Sequence, residues 1–166
     1  MKFKKVEASD INSVEELANL AAEIIKEHFD PIIGEEQNDY MISKFQTPEA
    51  IIEQINDGLS YYFVQNDEGE NIGFLAFSPT EDKMYINKFY LKKEERGKGL
   101  SRKMMNYVIA EAKKLGLKYI SLNVNKNNEA IKAYQSLGFE KIGERKKDIG
   151  NGFYMDDYVY RYKIKD

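Results

Sequence analysis

Two glycines inside a dense run of charge are the first residues of this chain whose types and spacing suggest chemistry. They are Gly97 and Gly99 in the segment KKEERGKGLSRKMM, residues 92–105. Glycine reaches positive φ without steric cost, which serves a simple turn and also lets backbone N–H groups approach an anion closely. The nearby charges of Arg96, Lys98 and Arg102 favour a ligand with several phosphates.

Two known phosphate loops are excluded by the same segment. The pattern G-x-x-x-x-G-K-[ST] is absent, and G-x-G-x-x-G fails because its last position is Arg102. ATP hydrolysis and dinucleotide binding therefore lose support. On the loop alone, a solvated charged turn with helix-capping glycines remains an alternative.

A second pattern lies downstream in NVNKNNEAIKAYQSLGF. If these residues are helical, Asn127, Ala130 and Tyr134 share one face, because they fall at i, i+3 and i+7. The small alanine lets a ligand lie close along the helix, and Asn127 and Tyr134 supply polar ends. The alternative is a tyrosine at the edge of the core with a satisfied hydroxyl.

The periodicity predicts the elements that position these segments. The strand KMYINKFYLKK precedes the glycine loop, and an amphipathic helix from Leu100 ends at Gly116. Asn127 or Asn128 caps the next helix. The whole order reads β, α, α, β, β, β, α, β, α, β, β. The first strand is predicted to lie at an edge of the sheet. It predicts a mixed sheet, antiparallel where hairpins dominate and with parallel crossovers later.

The first helix is predicted from the S-x-x-E capping box at Ser13. It should stop near Phe29, because Pro31 biases Asp30 towards extended conformations. Residues 30–39 are then a loop, and YMISKF is a short helical turn. A further helix begins with Thr47 as N-cap.

Composition narrows the class of protein. The chain has 166 residues and a net charge of −3, and we expect a single domain over residues 1–166. It has no cysteine and one histidine, which excludes disulfides, thiolate nucleophiles and Cys-based metal sites. The acidic balance argues against nucleic-acid binding. The absence of an apolar leader or spanning segment predicts a cytoplasmic protein without membrane contact.

Together the two segments resemble the GCN5-related N-acetyltransferase superfamily (GNAT). The family's acyl-CoA loop, [QR]-x-x-G-x-[GA], is matched by RGKGLS, in which Ser101 stands where the family has Gly or Ala. Its second signature, N-x-x-A-x-x-x-Y followed by G-F, is matched by Asn127, Ala130, Tyr134 and Gly138-Phe139. The resemblance implies a small acetyltransferase of bacterial type. Its fold class is α/β (α+β), with a mixed, mostly antiparallel central sheet of about seven strands and helices on both faces.

The resemblance also implies roles for individual residues. The CoA pyrophosphate would rest on the N–H groups from Gly97 to Ser101, and the Leu91 N–H would polarise the acetyl carbonyl. Tyr134 would protonate the departing thiolate as general acid. The full implied acetyl-CoA set is Leu91, Arg96, Gly97, Lys98, Gly99, Leu100, Ser101, Arg102, Asn127, Ala130 and Tyr134, with no metal.

The acceptor is predicted to be a primary amine of a small molecule or peptide. In the family, the first helix pair and the last two strands line the acceptor cleft, and both segments are rich in carboxylates in this chain. These carboxylates favour a cationic amine, although a charge run is also typical of solvated surface. Candidate bases are Asp156, which alternation places among tyrosines, Asp157 and His28; for His28 a surface or packing role is the alternative. The carboxylates are Asp30, Glu35, Glu36, Asp39, Asp148, Asp156 and Asp157.

Two interpretations of function follow from the resemblance. The first is an enzyme that transfers acetyl directly from acetyl-CoA to the amine. The second is a non-catalytic acyl-CoA-binding or sensor domain that keeps the loop. The aromatic last strand, if exposed, is a candidate homodimer edge.

Overall fold

The computed structural model describes residues 1–165 and contains a seven-stranded sheet in the order β1-β2-β3-β4-β5-β7-β6. The strands are β1 Lys2–Lys5, β2 Ser60–Gln65, β3 Asn71–Thr80, β4 Lys83–Leu91, β5 Tyr119–Asn125, β6 Glu140–Gly150 and β7 Phe153–Lys163. The helices are α1 Ile11–Ile33, α2 Glu35–Phe45, α3 Pro48–Asn56, α4 Leu100–Lys114 and α5 Ala130–Ser136, with a short 3₁₀ turn at Lys93–Glu95.

The sheet is mixed and mostly antiparallel, which confirms the predicted fold class. β1 with β2, β2 with β3, β5 with β7, and β6 with β7 are antiparallel pairs. The parallel pair joins Lys83–Ile86 of β4 to Tyr119–Leu122 of β5, across the crossover that contains α4. The first strand is an edge strand, as predicted.

The last strand is not a sheet edge, so that part of the homodimer expectation is wrong. β7 lies between β5 and β6, and β6 is the outer strand. The physical reason is the tight turn between β6 and β7, where Asn151 and Gly152 both have positive φ, 55° and 77°. Such a turn suits a two-residue hairpin and folds β6 back along the outer side of β7.

The first helix starts two residues before Ser13, and its N-cap is Asp10 instead of the predicted capping box. The Asp10 carboxylate accepts hydrogen bonds from the Ser13 N–H at 3.2 Å and the Ser13 hydroxyl at 2.8 Å. A carboxylate caps a helix as well as a serine does and adds favourable charge at the positive end of the dipole. Ser13 is therefore a donor to the cap.

The predicted stop near Phe29 and the loop over residues 30–39 are also wrong. α1 continues through Pro31 to Ile33, turns at Gly34, and is followed directly by α2. The bias against helix before proline is overcome by tertiary bonds. Asn38 donates to the Asp30 carboxylate at 2.8 Å and to the Ile25 carbonyl at 3.1 Å, holding the last turn of α1 against α2.

The chain forms two compact units. The first consists of Met1–Ser78 and Lys88–Leu100. Its core is built from apolar residues of α1 at helical spacing, such as Val14, Leu17 and Ile24, and from Phe63 and Phe74 of the sheet. Each such side chain stabilises the fold by about 1.5–3 kcal/mol when fully buried.

The second unit consists of Pro79–Asn87 and the chain from Ser101 onward. In it α4 buries Met104, Val108 and Ala112, and β5 buries Ile120 and Leu122. α4 ends before Gly116, which has a φ of 70°, as the sequence predicts. Among residues 1–165, none of the helices combines the length and apolar character needed to cross a membrane.

Candidate active site

The glycine loop leads from the 3₁₀ turn after β4 into the first turn of α4. Gly97 and Gly99 have φ values of 79° and 76°, and a Cβ on either would meet nothing within 4 Å. These glycines are therefore required by the backbone conformation and not by crowding. The open space over both leaves their backbone accessible to a ligand.

The N-terminus of α4 has the character of an anion site. The first N–H groups of a helix have no partner inside the helix, and they carry the positive end of its dipole. The first turn of α4 has no acidic residue, and Arg102 and Lys103 in it are exposed. With two glycines preceding it, this junction fits a phosphate group.

Arg96 does not extend from the loop as the sequence suggested. Its guanidinium donates two hydrogen bonds to the Glu27 carboxylate of α1, at 2.8 and 3.2 Å, and a third to the Leu91 carbonyl at 3.0 Å. Lys98 pairs with Glu95 at 3.2 Å. Of the predicted cations, two are thus already engaged by carboxylates.

At the end of β4 the backbone N–H and carbonyl of Leu91 face away from β3. The Tyr90 carbonyl points at Gly73 of β3, and the Lys92 N–H donates to the Ile72 carbonyl at 2.8 Å. Because N–H and C=O of a trans peptide point in opposite directions, both polar groups of Leu91 face away from β3. This orientation suits a donor to a ligand outside the sheet edge.

Gly73 is a residue that sequence reasoning did not single out. A Cβ there would overlap the Tyr90 carbonyl oxygen and press on Leu91, so only glycine permits the close approach of β3 and β4. An isolated glycine inside a strand pattern marks such approaches, and NIGFLAF carried that signal.

Tyr134 lies on α5 and is buried, at 8% exposure. Its ring packs edge-on against Phe139, and burial raises the pKa of its hydroxyl well above the usual range. Ala130 begins α5, whereas Asn127 precedes the helix and is exposed, so the predicted shared helical face holds for Ala130 and Tyr134 only. The turn is set by Asn128, whose side chain accepts from the Ala130 N–H at 2.9 Å.

The two adjacent carboxylates of β7 have different environments. Asp156 is half exposed and pairs with Lys126 at 3.1 Å. Asp157 is buried, and desolvation raises the pKa of its carboxyl although Arg145 opposes the shift. Tyr85 lies in the same electrostatic environment, and the pKa of its hydroxyl is raised by burial. Of the two, Asp157 has the environment that the sequence suggested for Asp156.

His28 belongs to an aromatic cluster of the first unit. Its ring meets Phe29 at 4.7 Å and Tyr90 at 6.3 Å between centroids, and Tyr90 packs on Phe74. The histidine is therefore close to the strand end that carries Leu91.

The first unit brings together Glu27, His28, Leu91 and the loop start. The second unit brings together Lys126, Asp156 and Asp157.

Three of the predicted acceptor carboxylates surround a lysine of the same segment. Lys26 lies 3.1 Å from Asp30, 3.5 Å from Glu35 and 3.0 Å from Asp39. Glu36 is exposed, and Asp148 accepts from the Gly150 N–H in the β6–β7 turn. The Lys26 ammonium thus shows that this group of oxygens accommodates an alkylammonium, and it offsets their charge.

A different acidic surface encloses a cavity of about 470 Å³ in the first unit. The cavity lies beside α1, the start of β3 and the loop after β4, and Lys92 is the lysine in its lining. Its acidic residues are Glu16, Glu23, Glu70, Glu94 and Glu95. The sequence did not indicate this cluster, because its members come from three separate segments.

Lys88 of β4 is a further titratable group that the sequence did not single out. Burial lowers the pKa of its ammonium to about 8. Among residues 1–165, no group of three or more His, Asp or Glu residues is arranged to hold a metal ion.

Comparison with known proteins agrees with this geometry. The model of the acetyltransferase (GNAT) domain matches residues 29–155, a range that includes the loop and α5. The spermine/spermidine N(1)-acetyltransferase of Bacillus subtilis strain 168 is 32% identical, over 46% of this chain and 57% of its own length. The chain therefore spans little more than half of that relative.

Solved structures share the fold at lower identity. The PaiA N-acetyltransferase of Thermoplasma acidophilum in complex with coenzyme A is 20% identical with a TM-score of 0.73, over 98% of this chain and 99% of that one. The ribosomal-protein-S18-alanine N-acetyltransferase of Escherichia coli is 16% identical with a TM-score of 0.66, over 99% and 94%. The motifs, the sheet and the family match agree: the chain belongs to the GNAT acetyltransferase family.

Proposed function

We propose that this protein is an acetyl-CoA-dependent N-acetyltransferase that moves the acetyl group directly onto a primary amine of a polyamine. The observation that carries the proposal is the loop–helix junction at Gly97–Ser101. Two positive-φ glycines, open space above them and a helix N-terminus without acidic residues supply donors for a pyrophosphate. The family match over residues 29–155 supports the same ligand.

The chain's own groups fit the three requirements of acyl transfer. The Leu91 N–H, directed away from β3, would donate to the acetyl oxygen as negative charge develops there. Tyr134 keeps its proton at neutral pH because burial raises its pKa, so it is available to protonate the thiolate. Ala130 at the start of α5 and Asn127 in the turn before it would line the cosubstrate's path.

The acceptor amine must lose a proton before it can attack. An alkylammonium with a pKa of ~10.4 is neutral in only about one molecule in a few thousand at pH 7, so a base is needed. Asp157 is the favoured base because its raised pKa brings a carboxylate closer to the working range. His28 is the second candidate. In the balanced step the base takes one proton from the ammonium, the amine nitrogen bonds to the acetyl carbon, and the C–S bond breaks. Tyr134 protonates the sulfur, and the second proton that the nitrogen loses on becoming an amide restores the Tyr134 hydroxyl.

A polyamine acceptor is supported by two independent observations. The Bacillus relative named above is a spermine/spermidine acetyltransferase, and the acidic residues that line the cavity of the first unit have the charge to attract a multiply charged amine.

The proposal is tested by incubating the protein with acetyl-CoA and a panel of amines: spermidine, spermine, putrescine, an aminoglycoside and a peptide with N-terminal alanine. We expect thiol release and an acetylated product by mass spectrometry with spermidine or spermine, and much less with the peptide. Preference for the peptide would overturn the polyamine assignment. Tight acetyl-CoA binding without transfer to any acceptor would favour the non-catalytic sensor instead.

A further inference from the structure

The contacts of Arg96 link three segments that meet at the end of β4. We propose that Glu27 and Arg96 are positioning residues that fix the backbone of Leu91 for acetyl transfer, an inference that rests on the proposed function. Glu27 of α1 holds the guanidinium by two hydrogen bonds, at 2.8 and 3.2 Å, and the guanidinium donates to the Leu91 carbonyl at 3.0 Å. Neither side chain would touch the reacting atoms.

The orientation of Leu91 makes this contact relevant to the reaction. The peptide after Leu91 is held by β3, because the Lys92 N–H donates to the Ile72 carbonyl, and the carbonyl of the peptide before Leu91 lies close to Gly73. The carbonyl and the N–H of Leu91 therefore project on the other side together. Arg96 holds that carbonyl, and this leaves the N–H of the same residue as the donor towards the acetyl oxygen.

The chemistry of the contact requires an arginine. One terminal nitrogen of Arg96 bonds both Glu27 and the Leu91 carbonyl, while the other completes the pair with the carboxylate. A planar guanidinium offers these donors in a fixed fork, whereas a lysine ammonium is a single rotating point. Arg96 and Glu27 are about one-third exposed, 34% and 37%, so the pair adds little to stability. Its effect should therefore fall on geometry.

An Arg96 that positions Leu91 and an Arg96 that binds phosphate predict different effects of substitution on rate and affinity. A guanidinium that contacts the pyrophosphate would lower acetyl-CoA affinity when it is removed. A guanidinium that orients the Leu91 donor would lower turnover and leave affinity nearly unchanged. Removing an oxyanion donor costs roughly 10²–10³ in rate, so a donor that is only misaligned should cost roughly tenfold to a hundredfold.

The test uses Arg96→Ala, Arg96→Lys, Glu27→Ala and the double variant, with Glu15→Gln on the exposed part of α1 as control. Steady-state rates are measured with acetyl-CoA and spermidine, and acetyl-CoA affinity by calorimetry. We expect kcat to fall roughly tenfold to a hundredfold in both Arg96 variants, with less than threefold change in affinity. Because the two residues act as one unit, the double variant should be no slower than Arg96→Ala.

A second measurement does not depend on the acceptor. The Leu91 amide resonance is compared between complexes with CoA and with acetyl-CoA. We expect an acetyl-dependent shift in the wild type that Arg96→Ala loses. The positioning role would be overturned by an unchanged shift in Arg96→Ala, by additive losses in the double variant, or by a large loss of affinity with kcat intact. If the wild type binds acetyl-CoA and shows the shift without acetylating spermidine, the acceptor assignment fails and the positioning role stands.

Discussion

The carbonyl oxygen of Tyr90 lies against Gly73 more closely than any β-carbon would permit. This approach joins β3 to the end of β4, where the backbone N–H and carbonyl of Leu91 face away from β3. Gly73→Ala should therefore destabilise the protein by about 1–3 kcal/mol, the usual cost of forcing atoms into a packed site. Thermal unfolding gives the measurement, with a drop of roughly 2–4 °C expected for each kcal/mol.

Gly143→Ala is the matched control for that experiment. Gly143 lies in β6, and a Cβ there would meet nothing within 4 Å. Alanine at such a site should leave the unfolding midpoint unchanged or raise it slightly. Equal midpoints for both variants would show that β3 and β4 separate without cost.

Tyr134→Phe should lower kcat by about 10²–10⁴-fold, because it removes the proposed proton donor for the thiolate. The buried ring and its packing on Phe139 remain, so acetyl-CoA affinity should change little. Tyr160→Phe removes a hydroxyl from another buried tyrosine of the second unit and serves as the control. Turnover that is unaffected in Tyr134→Phe would remove this residue from the mechanism.

Replacing Gly97 and Gly99 by valine should abolish acetyl-CoA binding in calorimetry while the fold is retained. The reason is conformational, since both positions need positive φ, which a β-branched residue strongly disfavours. Asparagine tolerates that region, so the double asparagine variant should keep measurable affinity. Gly116→Val, at another positive-φ turn, tests whether backbone strain elsewhere has the same effect. Full affinity in the double valine variant would refute the pyrophosphate cradle.

Asp157→Asn should separate stability from activity. The raised pKa of Asp157 means that the folded state binds this proton more tightly than the unfolded state does, so the group's contribution to stability falls as pH rises from ~3.9 through the raised value. At pH 7 the variant should unfold at or above the wild-type midpoint, and the difference should vanish in acid.

The same variant should lose turnover if Asp157 is the base. In the wild type kcat/KM should rise with pH through the raised pKa of Asp157, and the variant should lack that limb. Asp156→Asn, which alters the exposed partner of Lys126, is the neighbouring control. If Asp157→Asn keeps the full pH profile, His28 becomes the candidate base.

Local sequence predicts much of the fold and of the proposed cosubstrate site. Gly97 and Gly99 were identifiable because positive φ is a property of single residues, and α4 and α5 because apolar spacing is local. The hairpin of β2 and β3 and the cap at Thr47 follow from the same short-range rules. Gly73 also has a local signature, an isolated glycine inside a strand pattern.

The predictions about the end of the first helix and about the buried carboxylate of β7 are wrong for the same reason. Pro31 favours an extended residue before it, yet Asn38 holds Asp30 in the helix. Alternation groups Asp156 with the tyrosines of β7, yet Lys126 makes it an ion-paired surface group and leaves Asp157 as the buried one. In each case a residue outside the local segment decided the outcome.

The sequence alone determined the family, the loop proposed to bind the cosubstrate and Tyr134 as the candidate acid, because those features depend on residue types at short, fixed spacing. Only the tertiary structure decided which charges are available. Arg96 carries a cation in the loop, but Glu27, 69 residues away in the chain, determines where its guanidinium points. Electrostatic pairing and burial depend on distances in space, which residue spacing along the chain does not contain.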